Sequence, residues 1–290
     1  MPSEFARWKA RVPLTEVVEI PEAVEVRWNE TVRILGVVTG EGPRRAAIAV
    51  TAAALSVDAR DAYWIFAGIA GVDPAYGSVG SAFWAEWVVH GDAGSMFDAR
   101  EIPSGFNGTT ILPADRDVPF GMPKPSKSEA RGMIYELPLA KWAFELTRDV
   151  ELEDDDALRT LRAGYEAPAA REPPSVRLGN AASSNLFWAG VYLTEWARDW
   201  NDYWLPERAK SAGFATTAME DSAFLEALAV SPRANVSRAL VLRTASDYSA
   251  PPPADTLVGW FYSTQHLAAA EPALEAAYAV GSKFIINTLV

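Results

Sequence analysis

Between residues 32 and 66 the chain passes through strand, glycine, helix and strand in one sweep, and that order limits its fold more than any other stretch. Residues 32–39 (VRILGVVT) are a β-branched apolar run that ends at Gly40-Glu41-Gly42. Pro43 then opens the alanine-rich RRAAIAVTAAAL, a helix with proline in its first turn. Residues 63–66 (YWIF) read as a short buried strand that runs into a glycine turn, Ala67-Gly68-Ile69-Ala70-Gly71, and residues 79–89 alternate like a further strand pair. The order favours an α/β sheet with ligand chemistry at the strand ends, where glycines let a substrate approach the backbone.

Charge narrows the partners. The 290 residues carry 26 Lys+Arg against 38 Asp+Glu, a formal charge of −12, with no basic cluster, which argues against nucleic acid and anionic membrane faces as partners. The apolar fraction of 49% is enough for a full core. Cysteine is absent, which removes disulfides, thiolate metal sites and cysteine nucleophiles. The longest apolar run, residues 46–57, is about half the ~20 residues of a membrane helix, and no membrane insertion is expected. The first residues carry charges where a signal peptide needs its apolar centre. A soluble chain is expected, cytoplasmic as written and periplasmic or secreted if a signal preceded Met1.

The middle of the chain is breaker-rich. Residues 102–125 hold Pro103, Gly105, Gly108, Pro113, Pro119, Gly121, Pro123 and Pro125, and are expected to form a long loop excursion. Helices are expected over 137–148, over 151–165 behind the acidic start ELEDDD, over 193–204, over 219–229 and over 271–280, with a strand over 238–244. Trp196, Trp200 and Trp204 fall four residues apart, an aromatic stripe suited to a core or a subunit contact. Neither an internal repeat nor a break in charge divides the chain, so residues 1–290 are read as one domain.

Few residues offer chemistry. His90 and His266 have no ligand spacing, a phosphate loop is absent, and no metal site is expected. What remains are carboxylates at element ends: Glu220 and Asp221 where a helix begins, and Asp247 after the strand RALVLRTAS. Taken alone, such residues read as turn or helix caps.

In order, AGIAG (67–71), GNAASSNLFW (179–188), TAMED (217–221) and RTASDY (243–248) resemble the purine nucleoside permease family, itself similar to the nucleoside phosphorylase and nucleosidase superfamily. The resemblance runs from about Leu14 to about Ser282. It implies a single α/β domain with a mixed, partly barrel-like sheet flanked by helices, and oligomers of the kind the superfamily builds. It also implies roles. Glu220 would accept from the ribose 2′ and 3′ hydroxyls, with Met219 packed on the sugar. Ser246 and Asp247 would face the purine, Asp247 protonating N7 as the catalytic acid; Phe187 would pack on the base, and Gly68 and Gly71 would line the sugar or nucleophile side. Asn185 is a candidate base contact, with Trp188 and Tyr248 left open beside it.

Three departures shape the expectation. Phe66 and Ile69 stand where phosphorylases carry the Arg and Ser that hold phosphate, so phosphate is disfavoured as co-substrate. No residues before Leu14 match the family's first strand, which in nucleosidases brings a water-activating glutamate; the chain starts late or lacks that base. The family's FWHG is Phe187-Trp188-Ala189-Gly190 here. The reading is a purine nucleoside-binding protein that needs no cofactor and cleaves the N-glycosidic bond with water in preference to phosphate. The alternatives are a transport-associated role and binding without cleavage.

Overall fold

Alternating apolar runs pair into a sheet that closes on itself. The structure, a computed structural model, describes residues 2–96, 98, 100–101, 111–112, 131–263 and 268–289. The central sheet has the order β11 (Ala239–Tyr248), β4 (Trp64–Val72), β10 (Phe214–Ala218), β9 (Val176–Ser183), β5 (Ala82–His90) and β8 (Ile134–Glu136), and β11 also pairs with β5. That last pairing closes five strands into a barrel-like sheet. β4 runs parallel to β11 and antiparallel to β10, so the sheet is mixed, as expected.

Helices cover the barrel because their apolar faces match it. α2 (Pro43–Ser56) turns Ala46, Ala49, Val50, Ala53 and Ala54 inward, against α8 (Asp221–Val230) and the strands behind it. α10 (Ala270–Leu289) packs along β11 and β4, and α3 (Ala140–Thr147) lies beside it. α1 (Pro2–Arg11) docks on α10 through Trp8, whose ring meets Tyr278 at 5.3 Å, and through Arg7 to Glu275 at 3.0 Å. α4 (Asp156–Ala163) begins at Asp155, whose side chain accepts from the Leu158 N–H, so the acidic run is a helix cap with a solvated face. α5 (Pro168–Arg171), α7 (Glu207–Lys210) and α9 (Leu257–Phe261) are single turns. In α6 (Val191–Trp204), Trp196 and Trp200 are buried and stacked at 4.7 Å, in one cluster with Trp87 and Val89. The tryptophan stripe is core.

Three sequence expectations need correction. Residues 32–39 do not feed the central sheet: β3 (Ile34–Val38) pairs with β2 (Glu25–Asn29), and β2 with β1 (Glu16–Val17), in a separate antiparallel sheet. The helix after β3 therefore links two sheets. The stretch 67–71 is no turn, because Gly68 and Gly71 lie inside β4 and carry no positive φ. Their smallness serves close approach, since a Cβ on Gly68 would fall 2.6 Å from Arg243 Nη1. Residues 79–89 hold one strand, β5 (Ala82–His90), preceded by a turn, and not two. Of the breaker-rich 102–125 only β7 (Ile111–Leu112), paired with β6 (Ser95–Met96), is described; the rest of that expected excursion lies outside the described residues, as does His266.

Candidate functional site

Register decides which residues meet. On β11, Arg243 lies opposite Gly68 and Asp247 opposite Gly71, with a bulge between Ala245 and Asp247 that leaves Ser246 as the extra residue. Bulges re-aim the side chains beside them. Asp247 is therefore inside the strand, not beyond its end, and it is buried at 7% exposure.

Glu220 caps α8 just after β10 ends, and its carboxylate is held from two sides. Oε1 accepts from the Gly42 N–H at 3.0 Å, and Oε2 from Arg243 Nη2 at 3.1 Å. Gly42, at φ 88°, takes a left-handed conformation that suits glycine, and it delivers the N–H where α2 begins. Arg243 also pairs with the fully buried Asp221, its Nε 2.7 Å from Oδ1, and donates to the Ile69 carbonyl at 3.1 Å. Burial alone would lower the Arg243 pKa, but Asp221 and Glu220 outweigh it, so the guanidinium is held above its usual range and stays charged. Burial pushes the Asp221 carboxyl up, with Arg243 pulling it back. Among the described residues, Asp221 Oδ2 has no hydrogen-bond partner.

A third carboxylate joins them from α1. Glu4 Oε1 accepts from the Ile69 N–H at 3.1 Å, and it lies 2.9 Å from the point where a Cβ on Gly68 would sit. Glu4 also raises the Arg243 pKa through space, so the cluster surrounds one guanidinium with three acids.

The remaining expected residues divide. Ser246 Oγ donates to Asp247 Oδ1 at 2.7 Å, and a Cβ on Gly71 would meet Asp247 Oδ2 at 3.4 Å and Thr217 Cγ2 at 3.1 Å. Ser246, Asp247 and Gly71 thus sit together. Met219, half-buried, precedes Glu220, and its carbonyl accepts from Ser183 Oγ at 3.1 Å. Phe187 is 54% exposed against Phe261, with ring centroids 5.8 Å apart. Asn185 is engaged elsewhere, donating its N–H to Asp92 Oδ2 at 2.6 Å and its amide to the same carboxylate. Tyr248 donates its hydroxyl to the Ala170 carbonyl, and the Trp188 ring stacks on Phe214.

Sequence reasoning passed over Arg243, Glu4 and Asp92. Arg243 had a signal: an arginine in the middle of an apolar strand needs buried acids, and Glu220-Asp221 were the adjacent pair at hand. Glu4 and Asp92 had none, because their partners are distant in sequence.

Both acids are largely buried, Glu220 at 15% exposure and Asp247 at 7%. The backbone levels of Arg243, which holds Glu220, and of Asp247 lie three β4 residues apart, about 10 Å at ~3.3 Å per residue.

Comparison with known proteins adds relatives. Residues 2–290 match the family model described as "Purine nucleoside permease (NUP)". A probable purine nucleoside permease of Schizosaccharomyces pombe is 30% identical over 236 residues, covering 77% of this chain and 67% of that protein. A purine nucleoside permease of Candida albicans is 25% identical over 256 residues, covering 84% of this chain, and here the chain spans only 61% of the relative's length. Among solved structures, a 5′-methylthioadenosine/S-adenosylhomocysteine nucleosidase from Neisseria meningitidis in complex with methylthio-immucillin-A superposes with a TM-score of 0.57 at 16% identity, covering 99% of this chain and 96% of that one. A futalosine hydrolase of Helicobacter pylori superposes at 0.54 with 13% identity, covering 97% and 94%. At those identities the likeness is one of fold.

Proposed function

The chain belongs to the purine nucleoside permease family, and from that premise we propose that it binds a purine nucleoside between Glu220 and Asp247 and hydrolyses the N-glycosidic bond. One observation carries the reading: an oriented carboxylate, Glu220, and a buried one, Asp247, are both anchored on β11 beside β4, the first through Arg243 opposite Gly68 and the second opposite Gly71. Glu220 accepts from the 2′ and 3′ hydroxyls, and such charge-assisted contacts strengthen as positive charge develops on the ribose. Asp247, in its protonated form, gives its proton to N7 as the bond between C1′ and the base breaks. Phe187 covers the base and Met219 the sugar.

Water completes the reaction by adding to C1′. Its proton passes to Glu4, the carboxylate on the Ile69 side of the cluster, and Glu4 releases it to solvent while Asp247 is reprotonated. Base and free ribose leave. Glu4 thus fills the role for which the first residues offered no matching strand. It also bears on the choice between water and phosphate, because a phosphate dianion beside Glu4 and Glu220 would meet two like charges.

A second reading, binding without cleavage in support of transport, is favoured by the relatives' description as permeases; among the described residues no helix is long and apolar enough to cross a membrane. Product analysis with inosine, with and without phosphate, separates the readings. Free ribose in phosphate-free buffer supports hydrolysis, ribose 1-phosphate formed only with phosphate refutes it, and intact inosine that co-elutes with the protein supports binding alone.

A further inference from the structure

The segment that follows β9 joins the two ends of the proposed site. It leaves from the Glu220 side: Ser183 Oγ donates to the Met219 carbonyl and accepts from the Ser222 N–H, each at 3.1 Å, and the Ser184 N–H donates to the Ala218 carbonyl at 3.0 Å. It arrives on the Asp247 side, where the Gly190 N–H donates to the Ser249 carbonyl at 2.7 Å, two residues beyond Asp247. Phe187 sits midway along this span. Residues 184–190 belong to no helix or strand, and between those two backbone anchors side chains help to set their geometry.

Asp92 provides the fixing contacts. One carboxylate oxygen accepts from the Asn185 N–H at 2.6 Å, and both accept from the Asn185 amide, at 3.0 and 3.2 Å. His90 Nε2 lies 2.9 Å from Oδ1 on the other side. The Gly91 N–H, next in sequence, donates to the Ser183 carbonyl at 2.7 Å, so the turn and the segment are bound together. Burial alone would raise the Asp92 pKa, but the contacts from His90 and Asn185 outweigh it and hold the carboxyl below its usual range.

We propose that Asp92 is a positioning residue, clamping the 184–190 segment so that Phe187 is already laid across the base of an incoming purine nucleoside. The inference rests on the function proposed above. Ordering a loop at the moment of binding weakens affinity, and a clamp that orders it beforehand removes that cost. If release of the clamp left the segment in its binding geometry about a tenth of the time, apparent affinity would fall about tenfold.

The test compares Asp92→Asn, Asp92→Glu, Phe187→Ala and the Asp92→Asn/Phe187→Ala pair by steady-state kinetics on inosine and by hydrogen exchange over residues 184–190. Asp92→Asn is expected to raise KM about tenfold with kcat changed less than about threefold, to speed exchange in the segment, and to be partly rescued by Asp92→Glu. In the Phe187→Ala background the same change is expected to add less than about twofold, because both act through one ring. Inosine turnover with an unchanged KM in Asp92→Asn, or fully additive effects, would overturn the clamp while leaving the proposed function standing. Calorimetry that finds no inosine binding to the unmodified protein would instead overturn the function, and the clamp's purpose with it.

Discussion

Replacing Arg243 with methionine should be among the most destabilising changes available to this protein. The guanidinium is 3% exposed, Asp221 is 0% exposed and Glu220 15% exposed, so the substitution strands one fully buried carboxylate and one nearly so. Removing one partner of a buried pair costs about 3–5 kcal/mol, against a total stability of roughly 5–15 kcal/mol for a folded domain. Glu220 keeps the Gly42 N–H, whereas Asp221 keeps no strong donor among its described contacts, so most of the loss falls on Asp221. The pH dependence identifies the source. Burial raises the Asp221 carboxyl and Arg243 opposes it, so once Arg243 is gone the stability present below the unfolded pKa is lost as pH rises toward the folded one. Without Arg243 to oppose burial that shift grows, and stability should fall by ~1.4 kcal/mol per pH unit between about pH 4 and the folded value. Urea unfolding of Arg243→Met and of Arg243→Met/Asp221→Leu at several pH values reads both effects. The double variant should recover at least half of the loss and flatten the pH dependence. A loss under about 1 kcal/mol in the single variant, or a flat profile between about pH 5 and 8, would refute the reasoning.

Other outcomes follow from the same geometry. Asp247→Asn should lower turnover of purine nucleosides by ~10²-fold or more, the scale of a positioned general acid, and unchanged turnover would reduce Asp247 to a sheet residue. Glu220→Gln should weaken ribosides far more than 2′-deoxyribosides, and equal losses in a side-by-side assay would remove Glu220 from the sugar site. Gly71→Ala puts a methyl 3.1 Å from Thr217 Cγ2 and 3.4 Å from Asp247 Oδ2; a stability loss of about 1–3 kcal/mol with a fall in kcat is expected, and a neutral result would show the strands part easily there. The Asp92 carboxyl is depressed, so its clamp is present above the unfolded value of about 3.9 and is lost as pH falls through the folded one. Exchange over residues 184–190 should stay slow at pH 5–7, and fast exchange there would count against the clamp.

Local pattern revealed the helices and put Glu220 and Asp247 at element ends, the family resemblance gave those two acids their proposed roles, and long-range pairing was hidden. Pro43 and the alanine run place the start of α2, and the capping acids place α4. The change from β10 to α8 could be read at Met219-Glu220, since apolar alternation there gives way to a helical period. The glycines of 67–71 misled because glycine serves two ends, left-handed turns and close approach, and only Arg243 lying against Gly68 shows which applies. The β2–β3 hairpin was missed because Glu25, Arg27 and Asn29 alternate with few apolar partners, a weak strand signal next to the run that follows. Glu4 meets Ile69 across sixty-five positions, and no spacing rule reaches that far.

The most direct test is a crystal structure of the protein with formycin A, a purine C-nucleoside whose carbon–carbon glycosidic bond resists cleavage. The account expects the ring nitrogen that replaces purine N7 within hydrogen-bond distance of Asp247, the 2′ and 3′ hydroxyls on Glu220, and Phe187 over the heterocycle. A ligand bound away from β4, or one that touches only one of the two acids, would contradict it.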